Sequence, residues 1–115
     1  MYVRQYSYTI VPGQERRAAA LCERLARVLR ERGVRARVLV GGAQQVTVQL
    51  VEEYAGMAEM SMARAALRHD AAYRDLVVAW VADFYPLVSA SAPAMLLNDQ
   101  SGAWATGIES TALVS

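Results

Sequence analysis

VRARVLVGGAQQVTVQLVEE, residues 34–53, reads as two β-strands meeting at Gly41-Gly42. In the second run Val46, Val48 and Leu50 fall on one parity, against Gln45, Thr47, Gln49 and Val51 on the other. That two-residue period belongs to a strand with one covered face. A Gly-Gly pair between two such runs marks a turn, so the spacing predicts antiparallel strands over Val34 to Val40 and about Gln44 to Glu53.

Upstream, Val3 to Val11 repeats the split. Arg4, Tyr6, Tyr8 and Ile10 share one face, and Gln5, Ser7, Thr9 and Val11 share the other. Pro12-Gly13 ends that strand. From Gln14 to Arg32 the positions Ala18, Leu21, Cys22, Leu25, Val28 and Leu29 recur at helical spacing, and Gly33 suits a left-handed helix C-cap. Downstream, a helix is predicted from Ala55 to Arg68 and a second from Asp70, a residue with N-cap chemistry, to about Tyr85. Pro86 stops the second helix, and Val88 to Leu97 reads as a fourth strand that Pro93 confines to an edge or a bulge. Strand, helix, two strands, two helices, strand predicts an α+β domain: a four-stranded antiparallel sheet with helices on one face. The domain is expected over 1–97. Residues 98–115, rich in Gly, Ser, Thr and Ala around Trp104, are expected to form a tail or arm.

With 115 residues the chain has room for one core. A hydrophobic content of 55% against 20% charge is high for so small a domain, and it points to apolar surface meeting a partner or ligand. The net charge is +1, and all 12 basic residues are arginines, the usage of GC-rich coding. Those from Arg16 to Arg32 alternate with Glu15, Glu23 and Glu31 along a helix, the pattern of a solvated face; no nucleic-acid partner is expected. No apolar run approaches the ~18 residues of a membrane span, so no membrane partner is expected and a cytoplasmic, soluble chain is.

One histidine and one cysteine cannot build a two-histidine zinc site or a cysteine-rich one, so no metal is expected. A serine triad would need His69, and no nucleophile-elbow sequence accompanies it. There is no GxGxxG and no P-loop. Two readings of His69 stand: a general acid or base at a helix junction, or a C-terminal helix residue favoured by the dipole. Tyr6 and Tyr8 share a strand face, and Tyr73, Trp80 and Phe84 form a helical stripe that can lie opposite them. Ordinary core packing explains such a set. With Met57, Met60 and Met62 it could also line an adaptable cavity for a flat aromatic molecule, where Arg64 or Arg4 would pair with a phenolate or enolate.

The strand running into Pro12-Gly13, the hairpin leading into Tyr54, and the junction His69-Asp70-Ala71-Ala72-Tyr73 resemble the dimeric α/β barrel superfamily, built on a ferredoxin-like unit. Similar chains often carry Asp-Pro-x-Tyr or Asp-Pro-x-Trp at that junction, and Ala71 departs from this. Pro86-Leu87-Val88-Ser89 followed by Met95-Leu96-Leu97 looks like the last strand of such proteins. The resemblance implies a homodimer packed sheet to sheet into an α/β barrel, and a pocket between sheet and helices. Members include aromatic polyketide cyclases, cofactor-independent monooxygenases and haem-degrading enzymes. In the last group a first-strand Asn accompanies the haem-binding histidine; here Gln5 and Ser7 stand in its place, and no cofactor is expected. The expectation is a secondary-metabolism protein that binds a hydrophobic, polycyclic aromatic, polyketide-like substrate, as cyclase or monooxygenase, or that sequesters such a molecule without turnover. His69 and Tyr6 are the candidate catalytic residues. Tyr8, Met57, Met60, Arg64, Tyr73, Trp80 and Phe84 are the candidate substrate contacts.

Overall fold

The computed structural model describes residues 1–98 and, as a two-residue strand, 113–114. The elements follow in the order β1 (Tyr2–Ile10), α1 (Glu15–Glu31), β2 (Arg35–Gly41), β3 (Thr47–Tyr54), α2 (Met57–Arg68), α3 (Ala71–Phe84), β4 (Val88–Asn98) and β5 (Leu113–Val114). The tail expected over 98–115, with Trp104, otherwise lies outside the described residues.

The sheet order is β2-β3-β1-β4-β5, with every pair antiparallel. Its first four strands and the three helices make the expected α+β, ferredoxin-like fold. Because β1 and β2 both run antiparallel to β3, they are parallel to each other, and α1 supplies the crossover that such strands require.

The strand periodicity reads through to packing. On β3 the even positions Val48, Leu50, Glu52 and Tyr54 are buried, and on β1 Ile10 is buried with Tyr6 and Tyr8 half-buried beside it. Against this face α1 lays Ala18, Leu21, Cys22, Leu25, Ala26 and Leu29, and α3 lays Tyr73, Trp80 and Phe84. Cys22 sits fully inside, where burial pushes its thiol up to about 12, a structural thiol and not a nucleophile. The opposite sheet face is less polar than its Gln, Ser and Thr content suggests: Val3, Gln5 and Val51 are buried there. Farther along that face Ser7 and Gln49 are half-buried, and the Gln49 amide donates to the Ser7 hydroxyl at 3.3 Å.

Boundaries shift where backbone chemistry intervenes. Gly41-Gly42 does not make a two-residue turn; residues 42–46 form a wider loop, and β3 starts at Thr47 instead of near Gln44. Gly42 has φ +110°, and a Cβ there would collide with the Gln45 carbonyl oxygen, so only glycine fits. Gly33, with φ +84°, closes α1 as expected, its N–H donating to the Arg30 carbonyl. Asp70 caps α3 by accepting from the Tyr73 N–H at 2.9 Å. Opposite Tyr6 the register of β4 slips, Gln5 pairing with Met95 but Ser7 with Ala92, so Pro93 falls in a bulge. No helix among the described residues is long and apolar enough to cross a membrane.

Candidate functional site

Between the sheet and the helices lies a cavity of about 170 Å³. Its walls come from every layer: Tyr6 and Tyr8 of β1, Leu50 and Glu52 of β3, Leu25 of α1, Arg64 of α2, and Tyr73, Val77, Trp80 and Val81 of α3, with Tyr85 just beyond. Strand register explains the sheet side. Tyr6 stands opposite Leu50, Tyr8 opposite Val48 and Arg4 opposite Glu52, all on the helix-facing side.

The polar end of the cavity centres on Glu52, only 1% exposed. Its Oε1 accepts from the Tyr54 hydroxyl at 2.5 Å, and the Arg64 guanidinium approaches Oε1 and Oε2 at 3.3 and 3.4 Å. A buried carboxylate requires such partners, since an unpaired one in a low-dielectric interior is strongly destabilising. Beside it the Arg4 guanidinium donates to the Tyr6 hydroxyl and stacks over that ring with 5.2 Å to the centroid.

The tyrosines here are acids held in their neutral form. Burial raises the Tyr6 hydroxyl above its usual value and the Glu52 charge adds to this, while Arg64 and Arg4 pull the other way. Burial likewise raises Tyr8, Tyr54 and Tyr73. Near neutral pH these phenols donate hydrogen bonds and do not act as bases. Arg64 keeps its charge: burial opposes it, but Glu52 and the surrounding phenols outweigh burial and raise it above the usual guanidinium value.

The aromatic wall is braced from behind. Trp80 and Phe84 stack at 4.4 Å between centroids, Phe84 meets Tyr8 edge-on at 4.9 Å, and the Trp80 indole N–H donates to the Leu21 carbonyl at 2.7 Å. The indole donor is thus committed to α1, and Trp80 offers the cavity a ring alone.

Of the expected contacts, the cavity gathers Tyr6, Tyr8, Arg64, Tyr73 and Trp80. Phe84 is fully buried behind the wall and Met60 lies in the core, neither of them lining it. Met57, in the first turn of α2, is half exposed, and Met62 is 73% exposed. His69, the residue after α2, is exposed and does not line this cavity. Sequence reasoning missed Glu52 and Tyr54. Their signal was parity: both fall on the buried side of β3 with Val48 and Leu50, and a carboxylate on an apolar face needs a partner.

No family model matches the chain, and no curated protein matches it. Solved structures share its fold. A NIPSNAP domain protein from Burkholderia xenovorans aligns with a TM-score of 0.65 at 15% identity, over 85% of this chain and 93% of the other. A NIPSNAP-like domain protein from the same organism aligns at 0.54 and 20% identity, covering 88% and 86%. A Chloroflexus aurantiacus protein named for antibiotic biosynthesis monooxygenase aligns at 0.50 and 15% identity, covering 83% and 88%. At these identities the likeness is one of fold.

Proposed function

We propose that the cavity binds a single-ring phenol or enol, favours its anion, and promotes cofactor-independent oxygenation by dioxygen. The observation that carries this reading is the buried Glu52–Arg64 pair beside an aromatic-walled space. A polycyclic ligand does not suit a volume of 170 Å³, because drug-sized ligands occupy about 300 Å³ or more. One ring does suit it, since an apolar cavity of about 150 Å³ holds benzene. The same limit disfavours a cyclase, which must fold a long chain inside its pocket. The monooxygenase-named fold neighbour agrees with oxygenation, though at the level of fold only.

In this scheme the ring lies against Trp80 and Tyr8, and its hydroxyl points to the polar end. Glu52 accepts the hydroxyl proton. Arg64 then faces the oxyanion, with the neutral Tyr6 and Tyr73 phenols as further donors. The electron-rich ring is oxidised by dioxygen. One oxygen atom forms a new bond to ring carbon, the other leaves as water, and phenol plus dioxygen becomes quinone plus water. A second copy of the chain, packed on the sheet face away from the helices, completes the proposal as a homodimer.

The test uses 4-nitrophenol, whose absorbance reports its own ionisation. Binding is expected to quench Trp80 in a Trp104→Phe background and to shift the bound probe toward phenolate, and Arg64→Met should abolish that shift. Binding without a shift removes Arg64 from the scheme. A phenol recovered unchanged, with no oxygen uptake, favours sequestration over catalysis.

A further inference from the structure

A second apolar depression, about 370 Å³, runs along the outside of the helical layer between α2 and α3. Leu67, Tyr73, Val77 and Val78 supply its apolar surface, and Arg68 and Arg74 stand at its rim. It shares Arg64, Tyr73 and Val77 with the inner cavity, so the two spaces adjoin at those three side chains.

Three features set this groove apart from an ordinary helix seam. Val78 is 71% exposed, a β-branched apolar side chain facing water. Neither Arg68 nor Arg74 has an ion-pair partner among the described residues, whereas nearby Asp70 is already engaged by Arg32 at 2.7 Å. Arg74 also sits close to the N-terminal end of α3, where the helix dipole disfavours a cation. Helix stability therefore explains Arg68, in the last turn of α2, but not Arg74.

Resting on the reading of the inner cavity as a phenol site, we propose that this groove receives the rest of the ligand. The substrate class is a phenol or enol bearing an apolar chain that ends in a carboxylate. Its ring occupies the inner cavity, its chain passes between α2 and α3 over Val77, and its carboxylate lies between Arg68 and Arg74. Charge complementarity selects this occupant: an apolar floor with two uncompensated guanidinium groups and no acidic side chain on its lining suits an anionic amphiphile.

A ladder of ω-(4-hydroxyphenyl)alkanoates of rising chain length, each compared with its methyl ester, tests this by quenching of Trp80 in the Trp104→Phe background. At the chain length that spans the two spaces the acid should bind about fivefold more tightly than its ester, the scale of a partly exposed ion pair. High salt should erase that advantage. The double variant Arg68→Gln, Arg74→Gln should make acid and ester bind alike. Equal binding of acid and ester at every length, while phenol itself still quenches, overturns the groove assignment and leaves the cavity reading standing. An acid preference that survives the double variant overturns it too. If no phenol quenches at all, the cavity reading falls and takes the groove with it.

Discussion

Glu52 and Arg64 are unequal partners, and the inequality is measurable. The Glu52 side chain is 2% exposed and Arg64 27%, so when the pair is broken only the arginine can reach water. Glu52→Gln keeps a group able to accept from Tyr54, and the released guanidinium turns outward; a loss of about 1 kcal/mol is expected. Arg64→Met strands a carboxylate that retains, among the described residues, only the Tyr54 hydroxyl, and a loss of about 2–3 kcal/mol is expected, below the ~3–5 kcal/mol of a fully buried pair. Urea denaturation of the two variants checks the order, and a larger loss for Glu52→Gln would contradict it. The same residues show what the sequence makes legible. Tyr6 and Tyr8 are found by strand parity because a strand has only two faces. Helical stripes resolve less well: Met57, Met60 and Met62 look like one set, yet Met62 follows Met60 by two residues, about 200° round the helix, and points to solvent while Met60 enters the core.

At the scale of elements, α3 depends on its cap. Asp70 accepts from the Tyr73 N–H and from the Arg32 guanidinium, a contact that ties the end of α1 to the start of α3. The Arg32 hydrogen bond, more than the Tyr73 N–H, holds the Asp70 carboxyl below its ordinary 3.8. A carboxyl depressed in the folded state stabilises the fold above its unfolded value, and the contribution is lost as pH falls through the folded value. Asp70→Ala should therefore lower the urea midpoint by a constant amount from neutral pH down to about 4, the unfolded aspartate range. Below that the gap to the unsubstituted protein should close. A gap that stays open at lower pH would show that the side chain acts without its charge, by packing or as a neutral acceptor for the Tyr73 N–H. Asp70 was legible because capping is local, a matter of one side chain and a backbone N–H three residues on. The β2-β3 loop was not: its width depends on how Gly42 folds back toward Gln45, and Gly-Gly signals a turn without fixing its length.

For the whole molecule, the sheet divides two jobs. Among the described residues, the cavity lining lies on the helix side of the sheet or in the helical layer. On the other face Val3, Gln5 and Val51 are already buried within the single chain, and Leu39 of β2, 40% exposed, is the apolar surface open at its margin. If a second copy packs on that face, as proposed, assembly and ligand binding use opposite surfaces and are separable. Light scattering should give twice the 12.6 kDa of one chain. Leu39→Glu, which puts a charge into the proposed interface where desolvation is unfavourable, should shift the mass toward a single chain. Quenching of Trp80 by 4-nitrophenol should survive that shift with unchanged affinity, because Leu39 and the cavity have the sheet between them. A monomeric mass for the unsubstituted protein at micromolar concentration would remove the homodimer, and loss of probe binding together with assembly would mean that the partner chain shapes the cavity after all.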